Sequence, residues 1–242
     1  MKILALETSA KSASAAVTQD GTVLASAYQC SGLTHSRTLM PMVEDMLRNA
    51  ELTMEEMDAI AVAAGPGSFT GLRIGVAAAK GLAWAAEKPC CAVSTLEGMA
   101  ENLRHLDNAL VICAMDARRS QIYNALFLAQ DGALRRLTPD RAIALSELLG
   151  QLRHLSFEPT PTAVVLGDGA ELCRDYLTEN GYPCRLAPPR LLRQNAEGVA
   201  LAAERMAAAG GLIPAQELTP VYLRLSQAER ERLAREQAQA SL

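Results

Sequence analysis

The chain has 242 residues, 50% of them hydrophobic and 21% charged, with a formal net charge of −4. That length and apolar content predict a sizeable core divided between two lobes. The acidic balance excludes a large nucleic-acid footprint, which needs clustered Lys and Arg, and without a run of about 18 apolar residues no membrane-spanning helix is expected.

The first residues, Met1 to Leu6, meet Glu7 too soon for a signal peptide and read as a strand. Cys30, Cys90, Cys91, Cys113, Cys173 and Cys184 form no Cys-x-x-Cys pair and read as reduced core thiols of a cytoplasmic protein. The strand Ile3–Glu7 is followed by Ala13–Thr18 and the turn Gln19-Asp20-Gly21, a strong hairpin signal. A third strand spans Val23–Cys30, and a helix spans Thr38–Ala50 with Leu39, Val43, Met46 and Leu47 at helical spacing. Thr53-x-x-Glu56 predicts a capping box on a short helix before the buried strand Ala59–Ala64. Next come the loop Gly65-Pro66-Gly67-Ser68 and a helix over Leu72–Ala86, then a strand over Cys90–Ser94 and a capped helix from Thr95.

The second half repeats the first. Val111–Asp116 again ends in an acid, Ile122–Phe127 follows, and Gln130-Asp131-Gly132 closes the hairpin as Gln19-Asp20-Gly21 did. A third strand, a helix over Ser146–Leu155, a strand over Ala163–Leu166, a helix over Glu171–Asn180 and a helix over Ala196–Ala209 with Asn195 as N-cap complete it. Three strands, then helix, strand, helix, strand, helix, duplicated, is the plan of the α/β actin, sugar-kinase and heat-shock-chaperone (ASKHA) fold. The expected organisation is a first lobe at 1–104, a second, reduced lobe at 105–224 whose last helix packs back on the first, and a charged tail at 225–242. Fold alone does not give function.

Gly65-Pro66-Gly67-Ser68 lacks the Gly-Lys-Ser/Thr of a Walker loop. Backbone N–H groups at a helix start can hold an anion without a lysine, but a tight turn also explains these glycines and is the favoured reading. Gly71, Gly75 and Ala78 share one helix face. Interior glycine costs about 1 kcal/mol relative to alanine, so the strip implies close approach of another backbone, in this chain or in a partner. Glu7 and Asp116 end strands at the expected cleft, and Asp168 sits in Gly167-Asp168-Gly169; all three are candidate ligand contacts, with a structural role the alternative. His35, His105 and His154 have no zinc-site spacing. Ser68 lies outside any nucleophile elbow. Arg118, Arg119, Arg135, Arg136 and Arg141 are the candidates for a local basic patch.

Leu4-Ala5-Leu6-Glu7-Thr8-Ser9, the string from Gly65 to Gly75 (GPGSFTGLRIG), Ser94-Thr95-Leu96-Glu97-Gly98, Asp116-Ala117-Arg118-Arg119 and Pro220-x-Tyr222-Leu223-Arg224 occur in that order. Together they resemble the TsaB (YeaZ) family of the tRNA threonylcarbamoyladenosine pathway, over residues 1 to about 224. The resemblance implies a subunit without catalytic residues and without a cofactor. In the catalytic relative TsaD two histidines of a His-x-Glu-Gly-His segment bind metal; Thr95 and Met99 stand at those places here, and both are poor ligands for a hard or borderline divalent ion. TsaD, with the ATPase TsaE, transfers a threonylcarbamoyl group to the adenosine beside the anticodon of tRNAs that read codons starting with adenine. The family binds TsaD through helices of its first lobe, forms a homodimer when alone, and meets tRNA through the complex. Carried onto this sequence, that interface comprises Leu39, Met42, Val43 and Met46 of one helix and Gly71, Gly75, Ala78 and Leu82 of the next. The alternative class is an enzyme acting by itself, either a nucleotide-dependent transferase or a glycoprotease-like peptidase. Weak nucleotide binding in a vestigial cleft is a third reading.

Overall fold

A computed structural model describes residues 1–118 and 120–224 of the chain. Strands β1 (Lys2–Glu7), β2 (Ala13–Gln19), β3 (Thr22–Gln29), β4 (Ala59–Gly65) and β5 (Cys90–Ser94) form a sheet in the order β3-β2-β1-β4-β5. The second sheet runs β11-β10-β6-β7-β8, built from β6 (Ala109–Asp116), β7 (Gln121–Gln130), β8 (Ala133–Arg136), β10 (Thr162–Leu166) and β11 (Arg185–Leu186), with β9 (Arg141–Ala144) beside β7. In each sheet the first three strands pair antiparallel, and the strand that opens the lobe also pairs in parallel with a later one, β1 with β4 and β6 with β10. The duplication read from the two Asp-Gly hairpins is therefore a duplication of topology. β1 and β4 are covered on both faces, which is why they read as unbroken apolar runs.

The helices are α1 (His35–Asn49), α2 (Phe69–Ala85), α3 (Thr95–Glu101), α4 (Leu145–His154), α5 (Ala170–Glu179) and α6 (Ala196–Ala208). α1 begins three residues before the expected Thr38, and α2 begins at Phe69, where Ser68 caps it by accepting from Gly71 N. No helix forms at Thr53–Glu56. Thr53 N donates to Glu56 Oε2 at 2.8 Å, half of the capping box, but Asp58 N already joins β1 by donating to Lys2 O. Too few residues remain between these points to nucleate a helix.

α1 and α2 cover one face of the first sheet around Leu4, Leu6, Val17, Ile60 and Val62. The third helix of each lobe crosses over. Leu96, Met99 and Ala100 of α3, with Leu103 just beyond it, pack on the second sheet, whereas Val199, Ala200, Ala202 and Ala203 of α6 pack on the first. The two helices meet at glycines. A Cβ on Gly98 would lie 3.0 Å from Val199 Cγ2, and a Cβ on Gly198 would collide with Gly98 O. An ionic network ties the crossing. Glu97 accepts from Arg136 Nη2 at 2.8 Å and from Arg205 Nη2 at 3.1 Å, and buried Glu101 pairs with Arg205.

Candidate functional site

A cleft of about 650 Å³ opens between the lobes, lined by the β1–β2 turn (Ser9, Lys11), the start of α2 (Gly67–Thr70), the β6–β7 turn (Asp116–Arg118), Asp168 and the C-terminal segment Tyr222–Arg224. The strand ends deliver these groups because both hairpin-opening strands run toward the cleft. Asp116 is exposed and accepts from Arg118 N at 2.7 Å. Asp168 accepts from Gln194 Nε2 at 3.1 Å; burial pushes its carboxyl above the usual range, and that hydrogen bond opposes the shift.

Glu7 does not line the cleft; it lies beneath the floor, 1% exposed, accepting from Ser9 N at 2.5 Å. Burial pushes its carboxyl up to about 7, with the Ser9 hydrogen bonds pulling it down and Asp168 adding to the rise. Of the three candidate carboxylates, two therefore face the cleft and the third braces the turn under it.

Thr95 and Met99 both lie in the core at 1% exposure. Among the described residues Thr95 Oγ1 has no hydrogen-bond partner, and Met99 packs beside Gly167, its Cε 3.4 Å from where a Cβ there would sit. A thioether that fills core space offers no hard donor there. Among the described residues no group of three or more His, Cys, Asp or Glu side chains is placed to hold a metal, and no helix is long and apolar enough to cross a membrane. The basic patch does not assemble as expected. Arg136 is paired with Glu97 and Asp140, and Arg141 donates to Asn124 Oδ1; Arg119 lies outside the described residues.

The helical face needs a larger correction. Gly71 and Gly75 are buried against the chain's own first strand: a Cβ on either would collide with Thr8, whose Oγ1 donates to Gly71 O at 2.8 Å. The close approach inferred from these glycines is real, but it is to Thr8 at the end of β1, through its backbone at Gly71 and its side chain at Gly75, not to a partner helix. Leu39, Val43 and Met46 are likewise in the first core, leaving Met42, Ala78 and Leu82 half-buried. The face of α2 that points outward carries Ala77, Gly81 and Ala85 at a spacing of four, with the chain's one tryptophan, Trp84, 67% exposed beside them. Sequence periodicity could have found this second strip, since it lies one residue step around the helix from the first.

Comparison with known proteins places this geometry. A family model described as TsaD, tRNA N6-adenosine threonylcarbamoyltransferase, matches residues 29–209. The tRNA threonylcarbamoyladenosine biosynthesis protein TsaB of Bacillus subtilis is 35% identical over 235 residues, covering 95% of this chain and 96% of its own. Its Escherichia coli counterpart is 34% identical, covering 93% and 95%. The solved structure of YeaZ from Pseudomonas aeruginosa, 30% identical, superposes with a TM-score of 0.77 over 92% of this chain and 99% of that one. The two-lobed duplicated fold, the Gly-Pro-Gly loop seated on the β1–β2 turn, and these full-length matches agree: the chain belongs to the TsaB family of tRNA threonylcarbamoyladenosine biosynthesis proteins.

Proposed function

We propose that this chain is a docking subunit without catalytic residues of its own. It binds and supports a TsaD-type threonylcarbamoyltransferase, together with TsaE, in modifying the adenosine beside the anticodon of tRNAs that read codons starting with adenine. The observation that carries this reading is the outward face of α2. Ala77, Gly81 and Ala85 leave a strip of small side chains on a long helix, flanked by half-buried Ala78 and Leu82 on one side and by exposed Trp84 and Arg73 and half-buried Lys80 on the other. Small residues let a second helix approach closely, and a neighbouring exposed tryptophan is a common interface anchor. The same face pairs two copies when the catalytic relative is absent. Buried Thr95 and Met99, at the places where the relative carries metal-binding histidines, support the non-catalytic half of the reading.

Gly81→Arg tests it. Nothing lies within 4 Å of a Cβ at Gly81, so the monomer folds, while a guanidinium on the strip weakens binding to the catalytic relative at least tenfold, about 1.4 kcal/mol, and shifts the isolated chain toward monomer in light scattering. Wild-type affinity in this variant overturns the interface. Turnover of threonylcarbamoyl-adenylate by the purified chain alone favours the enzyme reading instead.

A further inference from the structure

The C-terminal segment runs from the edge of the first sheet along α2 to the second lobe. After α6 it pairs with the edge of the first sheet, where Cys90 N donates to Ile213 O and Ile213 N to Cys90 O at 2.8 and 2.9 Å. It then runs along α2: Lys80 Nζ donates to Gln216 O at 3.2 Å, and Leu218 is fully buried in the first core. At the Gly-Pro-Gly loop Val221 N donates to Ala64 O at 2.7 Å, and Val221 O occupies the space a Cβ on Gly65 would need. Tyr222 stacks on Phe69 with ring centroids 4.8 Å apart, and its hydroxyl accepts from Arg73 Nε at 3.0 Å; the Arg73 guanidinium in turn lies 3.9 Å over the Phe69 ring. Up to Tyr222 every one of these contacts is to the first lobe. Two residues later Arg224 Nη1 donates to Ala117 O at 2.6 Å, on the β6–β7 turn of the second lobe.

We infer that residues 214–224 are a latch across the mouth of the inter-lobe cleft, joining lobes that the crossed helices α3 and α6 also connect. Two features make it a latch rather than a mere packing segment. Its anchoring is graded, from buried Leu218 to half-exposed Val221 and Tyr222, so the end that crosses the cleft is held by a few polar and aromatic contacts while the base is fixed in the core. Its end is also a wall of the cleft, because Tyr222, Leu223 and Arg224 line it opposite the β1–β2 turn. Release of Arg224 from Ala117 O therefore frees the second lobe's turn and widens the cleft together.

Pulsed dipolar spectroscopy on the full-length chain tests the latch, with spin labels at exposed Cys30 on the first lobe and at Ala133→Cys on the second, half-buried Cys184 being replaced by Ser. Arg224→Ala and a chain ending at Pro220 should each broaden the inter-lobe distance distribution. Hydrogen exchange should run in parallel at Ala117 N and Ser68 N, which bond to Gln121 O and Ser9 O in the intact molecule. Both amides should exchange at least tenfold faster in the two variants, while amides of β1 and β6 keep their protection. An unchanged distance distribution together with wild-type exchange in Arg224→Ala overturns the latch. If the shortened chain loses protection in β1 and β6 as well, Arg224→Ala alone decides.

Discussion

Two glycines of one helix separate packing from propensity. Gly75 and Gly81 both lie inside α2, and alanine at either gains about 0.5–1 kcal/mol of helix propensity. At Gly81 nothing stands within 4 Å of the new methyl, so Gly81→Ala stabilises by that amount, a rise of about 1–4 °C in Tm for a chain of this size. At Gly75 the methyl would collide with Thr8 Oγ1 and lie 3.3 Å from Val62 Cγ2. Thr8 is fully buried, so its side chain has no solvent to turn into, and rotating it breaks the hydrogen bond to Gly71 O. Overpacking costs about 1–3 kcal/mol and the lost hydrogen bond about 0.5–1.5 kcal/mol. Gly75→Ala is therefore destabilising by about 0.5–4 kcal/mol after the propensity gain. Thermal and urea unfolding of both variants, at protein concentrations spanning a tenfold range to remove any effect of self-association, gives the comparison directly. Equal stabilisation of the two variants would refute the assignment of the buried strip to β1 and return Gly75 to the surface.

Glu7→Gln should flatten the pH dependence of stability. The carboxyl of Glu7 is lifted from 4.5 to about 7, so the folded chain holds a proton that the unfolded chain has released; its stabilising contribution is complete below pH 4.5 and is lost as pH rises through 7, a difference of about 3 kcal/mol. The variant, whose amide still accepts from Ser9 N, should equal wild type near pH 4.5 and exceed it at pH 8 in urea unfolding; parallel profiles would refute the buried proton. Gly198→Ala should cost about 1–3 kcal/mol, because its methyl meets the backbone oxygen of Gly98, which no side-chain rotation relieves. An unchanged Tm would show that α3 and α6 do not cross there.

Much of the fold was legible because its signals are local. An apolar run ending in an acid, followed by a second run and Gln-Asp-Gly, specifies a hairpin within about twenty residues, and finding it twice predicts the duplicated lobes. The strands that escaped notice, β9 and β11, are four and two residues long, too short for any period to register. The site was harder for a different reason. Periodicity says which residues share a helix face but not what lies opposite that face, so Gly71 and Gly75 announced a close approach without naming β1. Gly98 and Gly198, which do bring two helices together, are single glycines far apart in the chain, and only the exchange of α3 and α6 between lobes makes them a pair. That exchange bears on how the molecule can work. With each lobe's third helix embedded in the other lobe's core, the lobes cannot part freely about the crossing. At the cleft mouth Arg224 Nη1 donates to Ala117 O. The outward face of α2 and the segment running along it to that bond are contiguous through Lys80 and Gln216. A helix docked on Ala77 and Gly81 therefore lies one turn from the strap that fastens the cleft.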